Sequence, residues 1–174
     1  MKYCNQCGGT LQSVIPNGDT NLRFVCTACE FIHYENPKIV VGTVPIHNNE
    51  VLLCLRAIEP RKNFWTLPAG FLENGESLAE GAIRESQEEA LFTPLLGPML
   101  AVVDVVHANQ VHIFFRAGLT DNSFGPGVES LDVKMFSLDD IPWDEMAFKT
   151  GKIALKAQIE KKKNDFEPIY KTIE

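Results

Sequence analysis

Between residues 84 and 89 the chain reads Arg84-Glu85-Ser86-Gln87-Glu88-Glu89, and that spacing can do chemistry. A helix turns about 100° per residue, so Glu85, Glu88 and Glu89, related as i, i+3 and i+4, place three carboxylates on one stripe. Like charges so placed weaken an isolated helix by roughly a few tenths of a kcal/mol per pair, and something must compensate. A hard divalent cation such as Mg²⁺ or Mn²⁺ would do so, because it takes oxygen ligands, commonly one or two carboxylates with water and substrate phosphates beside them. Arg84 can pair with Glu76 or Glu88 and hold the acids in place. Ala79, Ala82, Ile83, Ser86 and Ala90 form an adjoining small-residue face that can sit close to a sheet. Taken alone, the helix fits a solvated glutamate-rich face equally well. The preceding Leu67-Pro68-Ala69-Gly70 and Gly75 shift the balance toward metal, since they bring flexible backbone, with a carbonyl to offer, up to the same helix.

The second constellation is Cys4-Asn5-Gln6-Cys7 and Cys26-Thr27-Ala28-Cys29. Nothing in the chain suggests secretion, so metal binding is the better reading of these pairs than disulfides. Cys54, the fifth cysteine, lies in the apolar run Val51-Leu52-Leu53-Cys54-Leu55 and reads as a small buried hydrophobe.

These residues need elements to position them. Residues 1–36 are rich in turn formers and too short to bury a core of their own, so they read as two small hairpins that need a staple. From Pro37 the texture becomes strand-like: Lys38–Val44, a polar turn at His47-Asn48-Asn49-Glu50, Val51–Leu55, and an extended piece at Phe64–Pro68. A loop over Ala69–Gly75 leads into the carboxylate helix, whose start is marked by the capping-box pair Ser77 and Glu80. Pro94, Gly97 and Pro98 then break the chain before strands at Leu100–Val106 and Gln110–Ala117. A polar loop over Thr120–Ser130, a strand at Asp132–Phe136, a turn through Asp139–Pro142 and a helix over Lys152–Lys163 complete the order. Lys161-Lys162-Lys163 reads as a solvated helix end.

The formal net charge of −7 and pI near 5.1 argue against a basic surface that holds nucleic acid through its phosphates, so an anionic ligand would need bound cations. No stretch is long and apolar enough for a membrane span, and Met1–Cys7 carries no signal-peptide core; a cytoplasmic protein is expected.

The run from Gly70 to Phe92 resembles the Nudix box: Gly, five residues, Glu, seven residues, Arg-Glu-apolar-any-Glu-Glu-any-Gly-apolar. Gly70, Glu76, Arg84, Glu85, Glu88, Glu89 and Phe92 meet it, while Ser86 takes an apolar place and Leu91 replaces the second glycine. The resemblance implies an α/β class protein, an α/β/α sandwich with a mixed sheet over 37–174, in which the box binds Mg²⁺ or Mn²⁺. By that likeness Glu85, Glu88, Glu89 and the Ala69 carbonyl would hold the metal, Arg84 would orient the glutamates, and Glu129, with Asp132 behind it, is the candidate for a further acid from a later loop. Water attack on phosphorus would follow. Residues 1–36 resemble a zinc ribbon, with Cys4, Cys7, Cys26 and Cys29 as a closed tetrahedral set for structural zinc.

A ribbon joined to a Nudix domain is similar to pyrophosphatases of two kinds, those for NADH and those for ADP-ribose or FAD. The Ser-Gln-Pro-Trp-Pro-Phe-Pro run that marks the NADH group does not occur after Leu91, so a small-molecule nucleotide, ADP-ribose or FAD, is the expected substrate, with NADH hydrolysis or a catalytically weak nucleotide-binding module as alternatives. Side-chain chemistry offers Trp65 or Phe64 to stack on a base, with core packing the commoner job of such aromatics, and Arg56 or Arg61 to meet a phosphate. His107 and His112 read as packing residues. Family likeness further suggests a homodimer.

Overall fold

The computed structural model describes residues 1–119, 123–160 and 167–174, which divide into two compact units, Met1–Asn36 and Pro37–Glu174. The first unit is an antiparallel sheet of β1 (Leu11–Val14), β2 (Arg23–Cys26) and β3 (Ile32–His33) in that order.

The second unit is built on a mixed sheet in the order β10-β5-β4-β9-β8-β11: β4 (Lys38–His47), β5 (Glu50–Arg56), β8 (Leu95–Val105), β9 (Gln110–Gly118), β10 (Ser130–Ser137) and β11 (Ile169–Ile173). β4 and β9 run parallel, as do β8 and β11; the other pairs are antiparallel. Two short strands, β6 (Trp65–Thr66) and β7 (Ala69–Phe71), pair with β5 and β4. Asn48 and Asn49 close the β4–β5 hairpin with positive φ at both central positions, the conformation a two-residue turn demands and asparagine tolerates.

The helices α1 (Leu78–Ala90) and α2 (Lys149–Glu160) cover opposite faces. Alternation along the strands explains this. Val41, Ile113 and Phe115 pack with Ala82 on the α1 side, while Val44, Leu53, Phe114 and Val103 pack with Ala154 and Leu155 on the α2 side. Each fully buried leucine or valine contributes roughly 1.5–3 kcal/mol.

Four expectations are corrected. Ala69–Phe71, read as loop, is a strand, because Gly42 lets β7 come close against β4. β8 begins at Leu95 rather than after Pro98, its ladder shifting register between Leu96 and Met99 where proline has no N–H to give. α2 starts at Lys149 rather than Lys152; Lys161–Lys163, and residues 120–122 of the expected loop, lie outside the described residues. β11 was not foreseen, since its pairing with β8 is non-local.

Candidate functional site

α1 starts as its sequence dictates: Ser77 caps the Glu80 N–H at 3.2 Å, and Glu80 returns the bond to the Ser77 N–H at 2.8 Å. It ends at Leu91 in the left-handed region, φ +51°, whose N–H reaches the Gln87 carbonyl. A helix commonly closes with glycine in this conformation, which gives the family's second glycine its physical reason and shows that leucine here keeps the same backbone at some strain. The other departure, Ser86, is compensated: its hydroxyl is buried and bonds Thr43 Oγ1 and the Ala82 carbonyl, both at 2.9 Å.

Glu85 and Glu89 are 8% and 5% exposed, whereas the Glu88 side chain is 58% exposed. All three line one cleft of about 1480 Å³ together with Arg56, Ala69, Gly70, Arg84 and Glu129. Glu89 Oε2 accepts the Ala69 N–H at 2.8 Å. Gly70 lies against Glu85 so closely that an added Cβ would fall 2.4 Å from the carboxylate, so no larger residue fits without displacing it.

Arg84 is the brace. It holds Glu76 through two nitrogens at 2.6 and 3.0 Å, Glu85 at 2.6 Å, Glu88 at 3.0 Å and the Phe71 carbonyl at 3.0 Å. Both partners anticipated for it are present, and Glu85 joins them. The planar guanidinium ties β7 and the following loop to the helix, which a single ammonium could not do.

The electrostatics divide the acids. The Arg84 hydrogen bonds hold Glu76 below the usual carboxylate range. Burial raises Glu85 against the pull of Arg84, and burial pushes Glu89 up to about 8, with the negative charges of Glu85 and Glu129 adding to it. Buried acids whose charge the nearby arginines offset only in part are the arrangement that a divalent ion would relieve.

Glu129 arrives on a loop docked to the end of α1: Gly125 and Gly127 donate their N–H groups to the Ala90 and Glu89 carbonyls at 3.0 and 3.1 Å. A Cβ on Gly127 would fall 1.6 Å from the Glu88 carbonyl oxygen, so this approach requires glycine. Asp132 stands apart, paired with Lys134 at 2.7 Å, and does not line the cleft.

Arg56 lines the cleft, its guanidinium over the Phe148 ring at 5.1 Å. Trp65 does not: it is a core residue, edge-on to Phe136 at 4.8 Å, and Phe64 is likewise absent from the lining. A two-residue strand aims Trp65 at the α2-side core, so the stacking role expected of it is not supported by its position. The aromatic lining comes from Phe71, Phe114 and Phe148, with His107 and His112. His112 bonds Gln110 at 2.8 Å, and burial lowers its pKa to about 4. Of these, Phe148 left no sequence signal, since it sits between two elements in a segment without periodicity.

In the first unit the cysteine sulfurs lie within 4.8 Å of one another, with Cys4–Cys29 at 3.8 Å and Cys7–Cys26 at 3.5 Å. Four sulfurs about 2.3 Å from a tetrahedral ion stand roughly 3.8 Å apart, so the set fits zinc. The N–H groups of Gln6, Gly9 and Ala28 point at the sulfurs of Cys4, Cys7 and Cys26 at 3.4 Å. Backbone N–H groups of Cys29 and Ala28 hold the Cys26 thiol low, while Cys29, against the pull of the Phe31 N–H, is pushed up by the neighbouring sulfurs, as expected of thiols crowded into one site without a cation.

Residues 36–156 match the NUDIX domain family and residues 2–35 match the family described as Nudix N-terminal, a zinc ribbon. The chain therefore belongs to the Nudix hydrolase family and carries a zinc ribbon ahead of the catalytic-type fold. It is similar to a NUDIX hydrolase from Nitrosomonas europaea, whose crystal structure matches with a TM-score of 0.94 at 45% identity over 99% of each chain. It is 27% identical to an ADP-ribose pyrophosphatase of Methanocaldococcus jannaschii over 69% of this chain and 72% of that one. It is 31% identical to the NAD-capped RNA hydrolase NudC of Vibrio vulnificus over 82% of this chain, which spans 53% of that protein's length.

Proposed function

We propose that this chain hydrolyses the diphosphate of a nucleoside diphosphate linked to another group, with ADP-ribose or FAD as substrate and AMP as a product. The observation that carries the reading is the α1 stripe, with Glu85 and Glu89 buried, Glu88 at the surface and Arg84 bracing two of the three. The similarity to an ADP-ribose pyrophosphatase supports the substrate class.

Glu85, Glu88 and Glu89, with the Ala69 carbonyl, are the groups that would hold Mg²⁺ or Mn²⁺, which supplies Lewis-acid and template chemistry when bound. Arg84 keeps these acids in register, and Glu129, the further acid facing Glu85 and Glu89, takes a proton from the attacking water. Water adds to one phosphorus, the bridging P–O bond breaks, and the second phosphate leaves with the bridging oxygen. Arg56 stands in the cleft to meet the phosphates.

In the ribbon, Cys4, Cys7, Cys26 and Cys29 would hold a structural zinc.

A panel of ADP-ribose, FAD and NADH with Mg²⁺ tests the reading, with AMP release from ADP-ribose or FAD expected. Preference for NADH would favour the NADH pyrophosphatase reading instead. No turnover of any of them by folded, metal-supplied protein would make this a nucleotide-binding module instead. Glu88→Gln should remove most activity and leave the fold intact.

A further inference from the structure

The first turn of α2 opens on the same cleft. Lys149, Thr150 and Gly151 line it, and their backbone N–H groups have no acceptor among the described residues; Lys152 is the first to bond back, to the Phe148 carbonyl at 3.3 Å. Every helix leaves such donors at its start, at the positive end of its dipole, and alone they mean little. Here two buried polar side chains accompany them. Thr150 is 5% exposed, yet its hydroxyl has no hydrogen-bond partner among the described residues and is not sealed from the cleft. Arg56 is 9% exposed; its Nε donates to the Pro60 carbonyl at 3.0 Å, and its two terminal amino groups have no partner among the described residues.

Stapling the loop after β5 needs only the Nε bond, and stacking on Phe148 uses only the face of the guanidinium, so the terminal N–H donors, which are not sealed from the cleft, are left to meet an anion there. The turn also carries no acidic side chain, although seven glutamates line the cleft; Arg61 and Arg84 line it too, and Arg84 is committed to Glu76, Glu85 and Glu88. Donors and positive charge thus converge where α2 meets the cleft, with no carboxylate on that turn to compete, which is how a phosphate is bound without a metal.

We propose that the first turn of α2, with Arg56 and Thr150, is a phosphate subsite that directly holds one phosphate of the diphosphate while the other lies with the α1 glutamates. The identity of the ligand rests on the pyrophosphatase reading; the existence of the subsite does not.

The test is to follow the backbone amides of Thr150 and Gly151 by ¹⁵N NMR in magnesium-free buffer during titration with inorganic phosphate and, separately, with AMP. Both signals should move saturably with each probe. The apparent Kd should rise about tenfold in Arg56→Gln, one charge-assisted contact being of that order, and about threefold in Thr150→Val. AMP binding tighter than phosphate would assign the subsite to the nucleoside phosphate, and equal binding to the other one. Because Arg56 is buried, the same spectra check folding; Thr150→Val conserves shape and keeps the question answerable if Arg56→Gln unfolds.

No movement of these amides with either probe, or movement unchanged in both variants, overturns the subsite. The two readings fail separately. Phosphate binding as described without hydrolysis of any substrate would defeat the enzyme assignment alone, whereas hydrolysis with an unchanged KM in both variants would defeat the subsite alone.

Discussion

Glu89→Gln should make the magnesium-free protein more stable at alkaline pH while abolishing turnover. Glu89 is 5% exposed, and burial lifts its carboxyl to about 8 from an ordinary 4.5. A folded-state pKa above the unfolded one means that protonation favours the fold. The contribution is fully present below about pH 4.5 and is lost as pH rises through about 8. At about 1.4 kcal/mol per pKa unit, the gap amounts to an upper limit on the order of 5 kcal/mol, and relaxation around the charge reduces it to roughly 2–4 kcal/mol. Glutamine does not ionise, and its carbonyl oxygen can still accept the Ala69 N–H. The variant should therefore match the parent within about 1 kcal/mol near pH 5 and exceed it by roughly 2–4 kcal/mol at pH 9. Urea unfolding followed by tryptophan emission measures this for one unit alone, since both tryptophans, Trp65 and Trp143, lie in Pro37–Glu174. Added Mg²⁺ should restore the parent at pH 9 and leave the variant unchanged. A parent whose stability relative to Glu89→Gln is the same at pH 5 and pH 9 would refute the reasoning.

Three other outcomes follow from the same geometry. Leu91→Gly should raise stability by about 0.5–1 kcal/mol in urea unfolding, because a leucine held at φ +51° and 59% exposed gives up left-handed strain and loses little burial. Ser86→Ala should cost about 1–3 kcal/mol by leaving the buried Thr43 hydroxyl without its partner. Adding Thr43→Val should recover part of that loss, so a double-mutant cycle should show coupling near 1 kcal/mol, and strict additivity would argue against the pair. Metal analysis should find about one zinc per chain, lost in Cys26→Ser together with the ribbon's ordered NMR signals.

The local pattern told much about this protein. Carboxylate spacing places Glu85, Glu88 and Glu89 on one helical stripe whatever lies around it, Ser77 and Glu80 mark where that helix begins, and two cysteine pairs announce a tetrahedral cluster, since each is set by the geometry of a few neighbouring residues. Long-range packing decided the rest. It buries Glu85 and Glu89 but leaves Glu88 in water, although the three are equivalent by periodicity. It sends Trp65 into the core rather than the cleft and turns Ala69–Phe71 from loop to strand. It pairs Ser86 with Thr43 across 43 residues and brings Arg56 to the start of α2, over the ring of Phe148. Burial and electrostatics depend on which surfaces meet, and residues far apart in the chain settle that only once the sheet has formed.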